Sequence, residues 1–191
     1  MLSNIKGIKM LRLAALSLFI SSAAFAGDNS HSVGLGYSYS NIDNINDEST
    51  SELNDLVTSH FSFSYHYNVN KYFSVGVGHL NGDSSKADGG FIDVFTDSKI
   101  DYNSNFLSAI ISYPITKRSS LYFKANALSY EYDIIDDNKS VYKEDDSDFG
   151  YGLGWKYVFD NGIGLDFGYE VLNLGSRIDI EGFSAGISYN F

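Results

Sequence analysis

The chain has 191 residues, contains no cysteine and carries a formal net charge of −11 at pH 7. The length is ample for one domain, and the lack of cysteine excludes a disulfide-stabilised scaffold. An acidic balance of this size argues against nucleic acid and other polyanions as partners.

Residues 1–26 have the pattern of a cleaved secretory signal peptide. Three basic residues precede an apolar run at 13–23, and the small residues Ala24 and Ala26 flank Phe25 as a cleavage site. The run is shorter than the roughly 20 residues that a spanning helix needs. Removing this leader leaves 165 residues, in which ten Lys and Arg oppose 24 Asp and Glu for a net charge of −14. No later segment is apolar enough for a transmembrane helix, so a location in a membrane would require strands.

Eight segments of the mature chain, residues 27–191, alternate between apolar residues and polar or glycine residues, which is the period of a β-strand. The first four lie at about 31–41, 57–68, 73–78 and 100–115. In the fourth, apolar residues occupy even positions at Ile100 and Tyr102 but odd positions from Leu107 onwards. This change of parity predicts a β-bulge near Asn105.

The other four segments lie at about 121–127, 149–159, 163–171 and 183–191. Because no stretch of the mature chain has helical periodicity, lipid is the simplest cover for the apolar faces of these strands. Eight is an even number, as a closed bacterial barrel requires. The sequence therefore predicts an all-β fold, an eight-stranded antiparallel up-and-down transmembrane β-barrel of the outer-membrane type.

The connections between the segments alternate between short and long. Short turns are expected at 68–71, 116–120 and 160–162, and longer loops at about 41–56, 81–99, 133–147 and 173–177. All short turns then share one end with both termini, and in outer-membrane barrels that end faces the periplasm. The 29 Phe and Tyr residues crowd at outward positions near strand ends, which favours interfacial girdles over a ligand-stacking site. We therefore expect an integral protein of the bacterial outer membrane with periplasmic termini.

The hairpin between the sixth and seventh segments fixes a register. If Gly162 takes a left-handed conformation in a three-residue loop, Phe159 pairs with Ile163 and Lys156 lies opposite Asp166. Both charged side chains then point into a narrow lumen, where an unpaired charge would be costly. We expect a structural ion pair between Lys156 and Asp166.

Three motifs resemble the last strands of the OmpX/Ail-type small outer-membrane barrels, at residues 152–157, 164–170 and 182–191. The pair Tyr169-Glu170 and the closing Gly-x-x-Tyr-x-Phe that ends at Phe191 are the most specific parts. The resemblance implies a barrel without a through-pore, with a polar hydrogen-bonded lumen. It also implies that the outer-membrane assembly machinery recognises Phe191, and that the outer loops can bind host surfaces or complement regulators.

The predicted long loops are acidic, whereas adhesive members of that family bind glycans and lipopolysaccharide through basic and aromatic loop residues. The loop carboxylates are Asp43, Asp47, Glu48, Glu52, Asp55, Asp83, Asp88, Asp93, Asp97, Asp136, Asp137, Glu144, Asp145, Asp146 and Asp148. Binding of heparin-like polyanions is therefore not expected. Apolar residues among these charges favour ordered, extended strands and a protein partner. The expected partners are outer-membrane lipid and lipopolysaccharide, the assembly machinery, and a host-surface or extracellular protein.

One group of residues is a candidate for catalysis. His60, Ser62, Ser64 and His66 share one face of a strand, where a His and a Ser could be base and nucleophile if an acid oriented the histidine. The sequence places no such acid, and the face points into the lumen, away from lipid acyl chains. We therefore interpret these residues as part of the interior hydrogen-bond network. A lipid-modifying barrel enzyme and a narrow pore are the alternatives, although eight strands leave little room for a pore.

The cluster of Glu144, Asp145, Asp146 and Asp148 offers hard oxygen ligands for calcium. It lacks the alternation and interior glycine of a calcium loop, so a solvated acidic loop is the preferred interpretation. A second hypothesis is that divalent cations bridge these carboxylates to lipopolysaccharide phosphates. No catalytic residue, cofactor or resident metal is predicted. The sequence favours a non-catalytic protein whose acidic loops serve attachment, host interaction or envelope protection.

Overall fold

The computed structural model describes residues 30–43, 56–86, 98–136, 139–175 and 178–191. The proposed signal peptide, with its cleavage residues Ala24 and Ala26, lies outside the described residues. No helix in the described part of the chain is long and apolar enough to span a membrane.

Eight antiparallel strands form a closed barrel, in which each strand pairs with its neighbours in the chain and the last strand pairs with the first. The strands are β1 (His31–Asp43), β2 (Leu56–Asn70), β3 (Phe73–Lys86), β4 (Ser98–Pro114), β5 (Ser119–Asp136), β6 (Lys139–Val158), β7 (Ile163–Leu174) and β8 (Ile178–Asn190). The predicted eight-stranded antiparallel up-and-down barrel is confirmed.

Side chains alternate between the two faces of the barrel wall, as the period-two pattern requires. Over most of the wall, even-numbered residues point into the lumen and odd-numbered residues point outwards. Large apolar side chains on the outer face are solvent-exposed in the isolated chain, among them Leu35, Phe61, Phe63, Leu107, Ile111, Tyr113, Phe149, Leu153 and Phe183. A band of this kind is stable only when lipid covers it.

Ser30, Phe191 and three short turns lie at one end of the barrel, which we call the turn end; the opposite end is the loop end. At the turn between β6 and β7, Gly162 has a φ of 85°. The Phe159 amide donates to the Ile163 carbonyl at 2.8 Å. The predicted left-handed glycine and the Phe159–Ile163 pairing are confirmed, and they set the register of the following strands.

At the loop end, β5 and β6 run well beyond β7 and β8. Their pairing continues to Asp136 and Lys139, whereas β6 pairs with β7 only from Gly150. The predicted loop at 133–147 is therefore almost entirely strand, because its tyrosines and charged residues themselves alternate with a period of two. We call residues 129–136 and 139–147 the β5–β6 extension. Most of the predicted loops at 41–56 and 81–99 lies outside the described residues.

The apolar parity inverts where the strands leave the lipid-facing band. Ile100 and Tyr102 on β4 point into the lumen and are 0 % and 1 % exposed. Strand β4 pairs with β3 and β5 through Asn105 without a register shift, so the predicted bulge near Asn105 is wrong. The parity changes because the outer face at this level meets water rather than lipid, and apolar side chains are then buried inside.

The lumen has two halves as a result. Buried apolar side chains fill the half nearest the loop end, namely Ile42, Leu80, Ile100, Tyr102, Phe106, Leu128, Tyr130, Tyr132, Leu172, Leu174, Ile178 and Ile180. The half nearest the turn end contains a polar cavity of about 490 Å³. The polar lumen implied by the family resemblance is thus open in the turn-end half, whereas in the loop-end half buried polar groups such as Ser40 and Thr58 are packed among apolar side chains.

Candidate functional site

Glu170 on β7 lies at the boundary between the apolar and polar halves of the lumen. Its two carboxylate oxygens contact Lys124 Nζ at 3.1 Å and His60 Nε2 at 3.0 Å. The Glu170 and His60 side chains are 7 % and 3 % exposed. Because the three residues come from β7, β5 and β2, this charged network ties distant parts of the wall together across the lumen.

His60 uses both of its ring nitrogens in this network. Its Nδ1 lies 3.0 Å from the Tyr102 hydroxyl, which also accepts a hydrogen bond from Thr58 Oγ1 at 3.0 Å. The sequence did not indicate which acid lies beside His60. In the structure that acid is Glu170. Among the described residues, however, no serine hydroxyl is hydrogen-bonded to His60. The arrangement has an oriented base without a nucleophile.

His66 belongs to a separate contact in the turn-end half. Its Nε2 lies 3.1 Å from Ser108 Oγ on β4, while Ser62 and Ser64 line the turn-end cavity. The four residues singled out on β2 therefore share a face, as predicted, but take part in different contacts. Their geometry fits an interior hydrogen-bond network and does not assemble a Ser-His-acid triad.

Lys156 and Asp166 are directly opposite each other in the register of β6 and β7, and both line the turn-end cavity. Among the described residues, the ion pairs with nitrogen and oxygen atoms within 4.0 Å do not include Lys156 with Asp166. The aspartate leans over Gly186, where an added Cβ would lie 2.7 Å from Asp166 Oδ1. The lysine stem instead leans over Gly164, where an added Cβ would lie 3.2 Å from Lys156 Cε. The direct ion pair between them therefore stays a prediction.

Glu144 organises the interior of the β5–β6 extension. Its carboxylate accepts hydrogen bonds from the hydroxyls of Tyr132 at 2.9 Å, Tyr142 at 2.7 Å and Tyr130 at 3.4 Å. The rings of Tyr130 and Tyr132 stack with centroids 6.0 Å apart. Burial, and then the nearby Glu144 carboxylate, raise the pKa of Tyr130 to about 12. These contacts join β5 to β6 inside the extension, beyond the lipid-facing band.

The remaining acidic residues of the predicted calcium cluster are engaged individually. Asp146 Oδ1 accepts from the Ser147 amide, and Asp148 accepts from the amides of Phe149 and Gly175, all at 2.8 to 3.1 Å. In the described part of the chain, no group of three or more His, Cys, Asp or Glu side chains is arranged to hold a metal ion. Asp146 and Asp148 instead accept from backbone amides, those of Ser147 and Phe149 on β6 and that of Gly175 just after β7.

Phe191 closes the seam between β8 and β1. Its amide donates to the His31 carbonyl at 2.8 Å, and the His31 amide donates to the Phe191 carbonyl at 2.9 Å. The two rings stack with centroids 5.8 Å apart, and the Tyr65 hydroxyl lies 2.6 Å from His31 Nδ1. The terminal residue is therefore built into the wall, while its recognition by the assembly machinery stays a prediction.

The outward face of the extension is polar and mostly acidic. Lys143 pairs with Glu131. Asp133 lies opposite Asp101 on β4 and opposite Lys143 on β6, and Asp145 lies opposite Glu131. Among the described side chains, this face and the adjoining Asp101 of β4 carry four carboxylates and one ammonium, and they lie beyond the aromatic band of the barrel.

The comparisons with known proteins agree with this geometry. The family model described as the outer membrane protein beta-barrel domain matches residues 12–191. The chain belongs to this outer-membrane β-barrel family. Its place in the family implies a location in the bacterial outer membrane. A comparison with curated proteins gives no match.

Solved structures of small outer-membrane barrels share the fold. The crystal structure of neisserial surface protein A matches with a TM-score of 0.66 and 14 % identity, covering 87 % of this chain and all of that one. Ail, the attachment invasion locus protein of Yersinia pestis, matches with a TM-score of 0.58 and 18 % identity, covering 86 % and 100 %. Ail in complex with the heparin analogue sucrose octasulfate matches with a TM-score of 0.56 and 18 % identity, covering 84 % and 97 %. The predicted resemblance to small barrels of the Ail type is thereby confirmed.

Sequence reasoning missed the role of Glu170 in this family member. The sequence offers Glu170 only within the Tyr169-Glu170 motif and does not indicate its partners, because these come from β2 and β5. A signal was present, since Lys124, His60 and Glu170 all occupy even, inward positions. Their heights in the barrel depend on the stagger between strands, which a single sequence does not supply.

Proposed function

We propose that the protein is a non-catalytic surface protein of the outer membrane whose β5–β6 extension contacts a host-surface or extracellular protein. In the proposed orientation the turn end and both termini face the periplasm, and the loop end faces outside, as the short turns and long connections favour. Outer-membrane lipid and lipopolysaccharide surround the wall, and the assembly machinery recognises Phe191 during insertion.

The observation that supports this proposal is the strand-paired extension beyond the lipid-facing band. Outer residues such as Glu131 and Asp145 are polar there, while Tyr130, Tyr132 and Glu144 form an ordered interior. A purely solvating loop needs neither strand pairing nor buried tyrosines. An ordered hairpin presents a fixed pattern of charges, as a protein interface requires.

The charge of the extension indicates the kind of partner. Among the described side chains of its outward face and the adjoining β4, four carboxylates (Asp101, Glu131, Asp133 and Asp145) stand against one ammonium (Lys143), a net charge of −3. Such a face attracts basic protein surfaces and repels sulfated polysaccharides. The Ail structure with a heparin analogue concerns a different protein, and the acidic face here argues against a similar ligand for this chain.

A shortened hairpin tests the proposal. Residues 132–144 would be replaced by Asn-Gly, which closes Glu131 and Asp145 with a two-residue turn and keeps the register below them. We expect cells with the shortened protein to lose adhesion to immobilised host matrix proteins. The matched control, Asp145→Asn in the full-length hairpin, removes one charge and should weaken adhesion only slightly. Equal adhesion by cells with the full and shortened hairpins would reject attachment and favour envelope protection.

The alternative of a lipid-modifying enzyme has specific evidence against it. His60 Nε2 is engaged by Glu170 and its Nδ1 by Tyr102, so the base has no free nitrogen for a nucleophile. We expect the lipid A profile of cells to be the same with the His60→Ala variant as with the unmodified protein. A changed acyl pattern on mass spectrometry would revive the enzyme hypothesis.

The alternative of a narrow pore conflicts with the filling of the loop-end half. Residues such as Ile100, Leu172 and Ile180 are at most 1 % exposed and occupy the lumen at that level. We expect no single-channel conductance when the purified protein is inserted into planar bilayers. Reproducible conductance steps would contradict the closed lumen.

A further inference from the structure

Positive charge is concentrated in one place in this acidic protein. Among the described residues that line the turn-end cavity, the charged side chains at neutral pH are Lys71, Lys124, Lys156 and Asp166. Three of the ten cationic residues of the mature chain thus face one cavity, together with a single one of its 24 carboxylates. Glu170 contacts Lys124 from the side of the apolar layer, which leaves the cavity with an excess of one positive charge.

Lys156 is the cation of the strand wall that lines this cavity without a direct ion pair among the described residues. Lys124 is bonded to Glu170, and Lys71 lies over the Tyr72 ring at 4.8 Å near the mouth. Lys156 has no ion pair within 4.0 Å among the described residues, although Asp166 is opposite it. Its ammonium therefore lies in the cavity with room for an anionic ligand.

Serine hydroxyl groups line the cavity that Lys156 also lines. Ser32, Ser62, Ser64 and Ser188 line the same cavity. The Ser188 hydroxyl is enclosed and has no hydrogen-bond partner in the described part of the chain. An added Cβ at Gly164 would lie 2.5 Å from Ser188 Oγ and 3.2 Å from Lys156 Cε, so the glycine keeps this corner open. An ammonium among hydroxyl donors is the chemistry that binds oxyanions.

The cavity is closed at one side and open at the other. Phe106 and the Lys124–Glu170–His60 layer close it towards the loop end, whereas Ser30, Asn70 and Lys71 line its opening at the turn end. Its volume of about 490 Å³ lies within the range of small-molecule sites. At roughly 30 Å³ for each water molecule, this space admits a hydrated phosphate or a small organic anion.

We propose that the turn-end cavity binds a small oxyanion, a phosphate or a carboxylate group, through Lys156 and the serine hydroxyls around it. This proposal rests on the proposed function in one respect only. If the turn end faces the periplasm, as proposed above, the ligand is a periplasmic solute. The pocket itself depends on the lumen and not on the orientation. Purified protein in lipid nanodiscs, with both ends accessible, therefore tests it independently of the orientation and of the adhesion experiment.

The test is an NMR titration of isotope-labelled protein with inorganic phosphate, and in a second arm with succinate, at constant ionic strength set by chloride. We expect saturable shifts of the Lys156 side-chain resonances and of the Gly164 amide. Lys156→Met should weaken binding at least about tenfold, the loss expected for one hydrogen bond to a charged group. The matched control Lys143→Met removes the lysine that pairs with Glu131 on the outer face, and should leave the affinity unchanged.

Each result of the titration supports or overturns the pocket. Saturation with phosphate alone assigns a phosphate site, and saturation with succinate alone assigns a carboxylate site. Shifts that grow linearly with either anion, or equal affinity in Lys156→Met, overturn the proposal. If Lys156→Met does not fold, Ser188→Ala provides the second variant. It retains the ammonium, and a severalfold weaker saturable binding is expected from the loss of one hydroxyl.

Discussion

Neutralising Glu170 should destabilise the barrel more than any surface charge change. The Glu170→Gln variant keeps the shape of the side chain but removes the carboxylate that bonds Lys124 at 3.1 Å and His60 at 3.0 Å. Lys124 then keeps its positive charge in the lumen without its anionic partner. A buried cation left without a partner is costly because the low-dielectric surroundings do not solvate it.

The magnitude follows from the burial of the three groups. Breaking a fully buried pair costs about 3 to 5 kcal/mol. Glu170 is 7 % exposed, but Lys124 is 23 % exposed and reaches the polar cavity, so water recovers part of the loss. We expect a decrease of about 3 kcal/mol in the free energy of unfolding, which is roughly a hundredfold in the equilibrium constant.

Unfolding by guanidinium chloride in lipid vesicles measures this loss. The chain has one tryptophan, Trp155, on the outer face of β6, and its fluorescence reports the transition. The double variant Glu170→Gln/Lys124→Met should recover about 2 kcal/mol relative to the sum of the single variants, because no unpaired ammonium remains. Asp145→Asn, at an exposed carboxylate, should change stability by less than about 0.5 kcal/mol. A loss below about 1 kcal/mol for Glu170→Gln, or simple additivity in the double variant, would refute the reasoning.

Three further predictions concern Tyr130 and Leu172 in the loop-end half and the terminal Phe191. The pKa of Tyr130 is raised to about 12, so the stability that this tyrosine contributes is fully present below pH 10 and is lost as the pH rises towards 12. Glu144→Gln should shift the tyrosinate absorbance of Tyr130 to lower pH. An unchanged titration would contradict the contact between Tyr130 and Glu144. Leu172→Ala, at a side chain 1 % exposed, should cost about 2 to 5 kcal/mol in guanidinium unfolding, against less than about 1.5 kcal/mol for Leu172→Met; equal losses would show that the loop-end core is loosely packed. Phe191→Ser should lower the amount of protein in the outer membrane of cells, measured by immunoblotting, while purified protein still folds in vesicles; normal insertion would exclude Phe191 as the assembly signal.

The parts of the fold that depend on local pattern were predictable from the sequence. The period of two gave the strands, and Asp160-Asn161-Gly162 gave the hairpin that aligns Lys156 with Asp166. In each case the information lies within a few neighbouring residues. The direction in which those two side chains lean was not predictable. It depends on the space that Gly164 on β7 and Gly186 on β8 leave beside them.

The loop-end half shows why one rule did not serve the whole chain. A barrel wall passes from lipid into water along each strand, so the outer face is apolar at one level and polar at the next. On β5, Phe123 faces outwards near the turn end, but Glu131 faces outwards in the extension while Tyr130 and Tyr132 are buried. The same inversion on β4 explains why the prediction of a bulge near Asn105 is wrong. An inversion of parity without a bulge therefore marks the level at which a strand leaves the membrane.

The most direct test of the central claim is the accessibility of each end of the barrel in intact cells. The chain has no cysteine, so single variants can be labelled with a membrane-impermeant maleimide without background. We predict that Asp145→Cys in the β5–β6 extension is labelled on intact cells, whereas Asn161→Cys in the turn is labelled only after the outer membrane is permeabilised. Labelling of Asn161→Cys on intact cells, with Asp145→Cys protected, would contradict the proposed orientation and the surface role of the extension.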